Sequence, residues 1–372
     1  MIRKPKLKTF LTVFPISDTT WGLRGGSEEL WRIKLHDESA IRTFSGLLPY
    51  LNGQHEVEDI LARVGEQGLD AETARRLLAH FESSSLIEET DSSGLSAEDA
   101  DRYEDQITFF SRFSQEGGAK YQQLLREARV AVVGDGQLGR SVRRHLDEAG
   151  FGEVVALSAE PPAAGHAGGA NGNGSAPRRG ATLRALGLSR HSIWPEGEAG
   201  ELPQVFILPQ EAHDPQLLEA MDAFSKEKSV PWLLVRAMDP REGWVGPLFI
   251  PGETASYVSL EARLRGNAPH FNEYQAFDSF LRSSNRASPA CGGLNTFHDV
   301  LSGIAVTEVI KLVTGISIPQ LAGRFLTIDL LTWETEVHDV LRIPRLEAEY
   351  YNRPRTFPWK EIPYGDKQTR RA

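Results

Sequence analysis

The feature that most constrains this chain is a short apolar run, Arg129-Val-Ala-Val-Val133, that ends in Gly134-Asp-Gly-Gln-Leu-Gly139. A buried strand that turns on glycines into a helix, predicted here over Ser141 to Ala149, is a βα unit, and such units require a sheet covered by helices. Strand, Gly-x-Gly-x-x-Gly and helix in that order let backbone N–H groups cradle a pyrophosphate. Two readings of Gly134, Gly136 and Gly139 stay open: they contact a nucleotide, or they serve only a tight turn and close packing. A dinucleotide site wants an acid about 20 residues on to hold a ribose, and Glu160 lies near that place. Pro161 follows it at once, and 161–180 (PPAAGHAGGANGNGSAPRRG) is a low-complexity stretch expected to be flexible. No lysine in the loop can reach a phosphate, which argues against a P-loop.

Further strands are predicted at Val154 to Leu157, Val205 to Leu208, Trp232 to Arg236 and Phe325 to Leu331. A late helix carries Leu301, Ile304, Ala305, Val309 and Leu312 and stops at Thr314-Gly315. The first ninety residues have a different texture. Short β-rich runs, Lys8 to Ile16, Thr19 to Arg24 and Leu30 to His36, are punctuated by Ser17-Asp18 and Gly25-Gly26, which predicts a small antiparallel sheet. Three helical stripes follow: Ile41, Phe44, Leu48 and Leu51; then Val57, Ile60, Leu61 and Val64; then Ala74, Leu77, Leu78 and Phe81, opened by Asp70. Three strands followed by three helices make a winged-helix-like unit. The acidic, Ser-rich stretch from Glu88 to Asp101 reads as a linker.

Composition excludes several functions. A net charge of −10 offers no general attraction to nucleic acid. A DNA-reading helix over Glu72 to Ser83 would have only Arg75 and Arg76 as cations, flanked by Glu72 and Glu82. A single cysteine, Cys291, rules out a disulfide framework and a cysteine-rich zinc site, and fits a reducing cytoplasm. No apolar run reaches membrane-spanning length. The ten histidines are scattered without a pair at helical spacing, and no Gly-x-Ser-x-Gly elbow surrounds Ser256 or Ser259. The strand Leu30 to Leu35, the last of the small sheet, alternates Trp31, Ile33 and Leu35, expected to point outward, with Leu30, Arg32 and Lys34. An edge strand beside an amphipathic helix offers unpaired backbone groups and an apolar groove, the basis of β-strand addition by a peptide. The other reading is an ordinary protected edge.

Lys4-Pro-Lys-Leu-Lys8 (KPKLK), the strands through Trp31, and Leu51-Asn-Gly-Gln-His-Glu-Val-Glu-Asp-Ile-Leu61 resemble the peptide-recognition element of enzymes that mature ribosomally made natural products. Gly246-Pro-Leu-Phe-Ile-Pro-Gly-Glu-Thr-Ala255 and Glu308-Val-Ile-Lys-Leu-Val-Thr-Gly315 resemble the ocin-forming ThiF-like proteins, the leader-peptide-binding partners of cyclodehydratases. The resemblance implies an α/β chain with a winged-helix-like recognition module over 1–89 and connecting helices over 90–128. A degenerate ThiF-like, Rossmann-type domain would follow over 129–345, then a tail over 346–372. It implies that the chain binds a precursor leader and presents the core peptide to a YcaO-type enzyme, the partner that uses ATP. Peptide contacts would be Leu30, Trp31, Arg32, Ile33, Lys34, Leu35, Arg75 and Leu78, with Gly134, Gly136 and Gly139 a vestige of nucleotide binding. It also suggests a homodimer through the ThiF-like domain. Many relatives hold a structural zinc with two Cys-x-x-Cys pairs. Here Ser256 and Ser259 stand at the first pair and Arg345-Leu346-Glu347-Ala348 near the second, so no metal is expected. The competing function is an adenylating enzyme that activates a peptide or carrier carboxylate.

Overall fold

The computed structural model describes residues 2–26, 29–89, 94–114, 116–157, 202–284 and 286–347. It divides into one unit ending at Leu124 and another beginning at Leu125.

The first unit begins with β1 (Pro5–Leu7), β2 (Thr12–Ser17), β3 (Thr20–Gly25) and β4 (Glu29–Lys34). The last three form an antiparallel sheet in the order β2-β3-β4. Helices α1 (Glu38–Leu47), α2 (Val57–Glu66) and α3 (Ala71–Ser83) follow. Asp37 caps α1 by accepting from Ala40 N at 2.7 Å, and Asp70 caps α3 by accepting from Glu72 N at 3.0 Å. The buried stripes meet on Phe44, whose ring lies 5.3 Å from Trp21 and 6.1 Å from Phe81.

Sequence expectation fails here in two places. Trp31, Ile33 and Leu35 do not point outward: Ile33 and Leu35 lie in the core with Leu77, Leu78 and Phe81, and half-buried Trp31 packs against it. Nor is Glu88 linker. It lies in β5 (Ile87–Glu89), which pairs with β1 in the register Pro5 to Glu89 and Leu7 to Ile87. Glu88 and Lys8 are both buried. Burial pushes the Lys8 ammonium down and the Glu88 carboxyl up, while their mutual attraction opposes both shifts. Lys6, directly across the β1–β5 ladder from Glu88, and then Lys8 offset the cost of burying this carboxyl, and a buried charge of this kind reads as surface in a sequence because only the fold brings such neighbours to it. Beyond β5 come α4 (Ala97–Arg102), α5 (Glu104–Ser111) and α6 (Ala119–Glu127).

The second unit contains β6 (Arg129–Val133), α7 (Gln137–Glu148), β7 (Glu153–Leu157), β8 (Val205–Gln210), α8 (Pro215–Lys228) and β9 (Trp232–Arg236). It continues with β10 (Glu242–Phe249), α9 (Tyr257–Gly266), α10 (Phe271–Ser284), α11 (Asn295–Thr314), β11 (Arg324–Asp329) and β12 (Thr335–Asp339). Its seven strands are ordered β12-β11-β10-β9-β8-β6-β7. Strands β7, β6, β8 and β9 run parallel, and β10, β11 and β12 add antiparallel. The parallel strands β8 and β9 are almost continuously buried, as strands covered on both faces must be. The predicted second-unit strands all form, and α11 ends on Gly315 in the left-handed conformation (φ 67°). Glu308, buried within α11, accepts from Leu321 N at 2.8 Å and pairs with Lys311, tying the helix to the segment that enters β11. Glu160 and 161–180 lie outside the described residues. Among the described residues no helix is long and apolar enough to cross a membrane.

Helices α7 and α11 are joined by Asp299, which accepts from Ser141 Oγ and pairs with Arg144 at 2.6 Å. The Ser141 hydroxyl, and then Arg144, hold the Asp299 carboxyl below the usual range. Because the folded value is depressed, this stabilisation is present above the unfolded value of about 3.9 and is lost as pH falls through the lower folded value. Asp299→Asn is expected to be less stable than wild type in urea at pH 5 and to converge with it near pH 2; a constant gap would contradict this account.

Candidate functional site

The strand order reverses between the neighbours β6 and β8, β6 leading through α7 to β7 on one side and β8 through α8 to β9 on the other, and open α/β sheets bind ligands at the carboxyl ends of strands at such a point. The glycines of the phosphate loop are all here. Gly134 has a φ of 137°, open only to glycine at low cost, and its N–H donates to Leu157 O at 2.8 Å. Gly136 caps α7 with no side chain of its own to satisfy the first turn. The acceptor comes from 73 residues further on: Glu211, directly after β8, takes the Leu138 N–H on its Oε1 at 2.7 Å. A Cβ on Gly136 would stand 2.2 Å from that same oxygen, and one on Gly139 would meet Gly134 O at 2.3 Å. Gly134 and Gly139 are therefore needed by the backbone itself, whereas a side chain at Gly136 would have to push the Glu211 carboxylate aside.

The charge arrangement follows from this contact. A helix N-terminus attracts an anion through its free N–H groups and its dipole. In this chain the Glu211 carboxylate is that anion. Two arginines of α7 reach back to the loop's carbonyls instead of toward a ligand, Arg143 to Gly134 O at 2.8 Å and Arg140 to Asp135 O at 2.6 Å. Burial lowers the Arg143 guanidinium from its ordinary value. A nucleotide phosphate and Glu211 would compete for the same amide, so the described residues of this loop do not fit a bound phosphate while Glu211 is in place.

The serines at the place of the first cysteine pair are also engaged. Glu347, 1% exposed, accepts on Oε1 from Ser256 N at 2.9 Å, Ser256 Oγ at 3.0 Å and the Ser259 hydroxyl. Ser259 Oγ in turn accepts from Ile343 N at 3.0 Å. Arg342 donates to Thr254 O at 3.0 Å and Gly252 O at 2.7 Å, closing the Pro-Gly turn before α9. Two hydroxyls and one carboxylate are not a zinc set, but they fasten the start of α9 to the segment after β12 by hydrogen bonds.

In the first unit the chemistry lies in backbone groups. Leu35 N donates to Thr19 O at 2.8 Å, and the register sets Trp21 opposite Ile33 and Leu23 opposite Trp31. Residues of an antiparallel ladder alternate between those that exchange hydrogen bonds and those that face away. Trp31 and Ile33 are thus bonded to β3, while the N–H and C=O of Leu30, Arg32 and Lys34 point off the sheet edge. On the opposite edge the same phase turns Val13 and Pro15 outward. Pro15 has no N–H to give, and the register shifts between Pro15 and Ser17. Only β4 is left as a regular edge in this sheet. Of the other expected peptide contacts, Arg75 is exposed and 3.8 Å from Glu58, whereas Leu78 is 5% exposed within the core.

No family model and no curated protein matches the sequence. Solved structures do. The heterocyclase TruD superimposes with a TM-score of 0.62 at 20% identity, covering 93% of this chain and 42% of TruD. The chain therefore spans about two fifths of that heterocyclase. MccB of E. coli, solved with MccA, gives a TM-score of 0.55 at 13% identity, covering 91% of this chain and 97% of MccB. PaaA gives 0.52 at 19% identity, covering 71% of this chain and 91% of its own. These likenesses establish the fold: a mixed α/β architecture of ThiF-like type.

Replacing Glu211 should reopen the helix N-terminus. Glu211→Ala is expected to lower stability by about 1 kcal/mol through the lost cap, and its thermal midpoint should rise with added inorganic phosphate while that of the wild type does not. An identical phosphate response in both proteins would show that Glu211 does not occupy the anion position.

Proposed function

We propose that this chain is the leader-peptide-binding partner of a YcaO-type, ATP-dependent cyclodehydratase in the biosynthesis of an azole- or azoline-containing ribosomal peptide. The observation that carries the reading is the asymmetry of the small sheet. Its β2 edge is blunted by Pro15 and a register shift, whereas β4 keeps a regular row of outward backbone groups at Leu30, Arg32 and Lys34. An extended leader pairing with that row in the winged-helix-like unit would gain main-chain hydrogen bonds without displacing any part of the first unit's core. Fold-level likeness to the heterocyclase TruD and to MccB, which was solved with MccA, supports the same class of substrate.

The second unit supports delivery rather than adenylation. Positioned cations and a held metal normally align a carboxylate for attack on an α-phosphate and neutralise the developing charge. Here the loop arginines are turned onto backbone carbonyls and Glu211 adds negative charge at the amides. Capture of the leader raises the effective concentration of the core peptide at a partner's site, and so accelerates chemistry with no catalytic group from this chain.

The test uses the full-length protein and the labelled leader of a precursor encoded beside a YcaO-type gene, titrated by fluorescence anisotropy. Arg32→Pro removes one outward donor and is expected to weaken binding by about tenfold or more with the fold intact. Ile33→Pro removes a bond to β3 and is expected to unfold the unit instead. The wild type alone should show no ATP–pyrophosphate exchange, yet should raise leader-dependent product formation by the YcaO-type enzyme. Robust exchange by the lone protein, or full-strength binding by Arg32→Pro, would overturn the reading.

A further inference from the structure

The outward face of β4 carries a chemistry of its own. Its side chains at Leu30, Arg32 and Lys34 lie opposite Arg24, Gly22 and Thr20 of β3, which in turn face Thr12 and Phe14 of β2. Directly opposed residues share a face. Among the described residues that face therefore holds Arg24, Arg32 and Lys34 and no acidic residue, in a chain whose net charge is −10. Arg24 is engaged with Gly26 O at 2.9 Å. Arg32 and Lys34 are exposed and make no ion pair among the described residues. Beside them Leu30 is an exposed apolar side chain, 43% accessible. The nearest ionised neighbour on the strand, Glu29, belongs to the opposite parity and is held by Arg112 at 3.1 Å.

We infer that β4 selects an acidic strand: a peptide segment with two carboxylate side chains two residues apart, facing Arg32 and Lys34, and an apolar side chain two residues further on, facing Leu30. This rests on the proposal that β4 captures a peptide. The geometry of strand addition sets the pattern. An added strand bonded to the outward groups of Leu30, Arg32 and Lys34 places every second side chain in the same row as theirs, so alternate residues of the guest meet these three in order. The pattern reads apolar-x-acid-x-acid in a parallel guest and acid-x-acid-x-apolar in an antiparallel one. Backbone pairing alone would accept any extended sequence, and the unpaired cations add the discrimination.

Charged edge residues can also serve simply to keep other strands away. The two roles predict opposite outcomes. A repelling edge binds no strand, whereas a selecting edge binds an acidic strand in preference to its amide counterpart.

The experiment titrates full-length protein against short fluorescein-labelled peptides with a central Leu-Thr-Glu-Val-Glu or Glu-Val-Glu-Thr-Leu, against the same peptides with Gln for Glu, and with Lys for Glu. One Glu peptide is expected to bind about 2- to 30-fold tighter than its Gln form, two cross-strand charge pairs being the difference. The preference should shrink with added salt. It should reverse in favour of the Lys peptide in the doubly substituted Arg32→Glu, Lys34→Glu protein, whose changes are both at exposed positions. Equal binding of Glu and Gln peptides, abolished by Arg32→Pro, would leave peptide capture standing and overturn the selection of acid. Failure of every peptide to bind would overturn both. Equally tight binding of a random-sequence oligonucleotide would mark the face as a general anion surface and likewise overturn the inference.

Discussion

Backbone hydrogen-bonding groups seek partners, and the small sheet leaves one regular row of them unmade, at Leu30, Arg32 and Lys34 on β4. The alternation of the ladder decides this row. Because Leu35 bonds to Thr19, Trp31 and Ile33 of β4 bond to β3 and their side chains turn to the core, where Ile33 and the adjoining Leu35 join Leu23 and Phe81. The even-numbered residues are left with both backbone and side chain outside. Burial of one set of side chains thus fixes which amides remain free, and a slip of one residue would exchange the two sets.

The second unit meets the same requirement in the opposite way. The first turn of α7 lies where the strand order reverses between β6 and β8, and there Glu211 accepts from the Leu138 N–H. Ser256 and Ser259 at the start of α9 are closed in a similar manner by Glu347. At both places where the ThiF-like resemblance leads one to look for a small ligand, an acidic side chain of the chain itself supplies the acceptor. The proposal of a protein that holds a peptide and leaves chemistry to a partner rests on this contrast between open backbone in one unit and self-satisfied helix starts in the other.

Much of the fold was legible because local signals and burial agreed. The run Arg129 to Val133, the capping Asp70 and the Gly315 stop were all read from residue type and spacing. The failures share one cause, which is that their partners lie far away in sequence. Glu88 is buried on β5 opposite Lys6, more than eighty residues before it, and β12, a mostly exposed edge strand of Thr335 to Asp339, has no hydrophobic pattern to announce it. Glu211 stands 73 residues from the amide it caps. Glu347 lies in a stretch whose lack of thiolates speaks only against zinc, and 88 residues separate its carboxylate from the Ser259 hydroxyl that it binds. The inward facing of Trp31, Ile33 and Leu35 was not decidable from alternation, which fixes two faces but not which of them the helices cover.

Residue-resolved amide hydrogen exchange on the full-length protein, with and without the leader peptide of a precursor encoded beside a YcaO-type gene, tests the proposed capture by β4 most directly. The predicted result is slowed exchange at Leu30, Arg32 and Lys34 on adding the leader, with Trp31 and Ile33 already slow and Val13 on the β2 edge unchanged. Protection appearing on the β2 edge or at β12, with Leu30, Arg32 and Lys34 still exchanging freely, would contradict it.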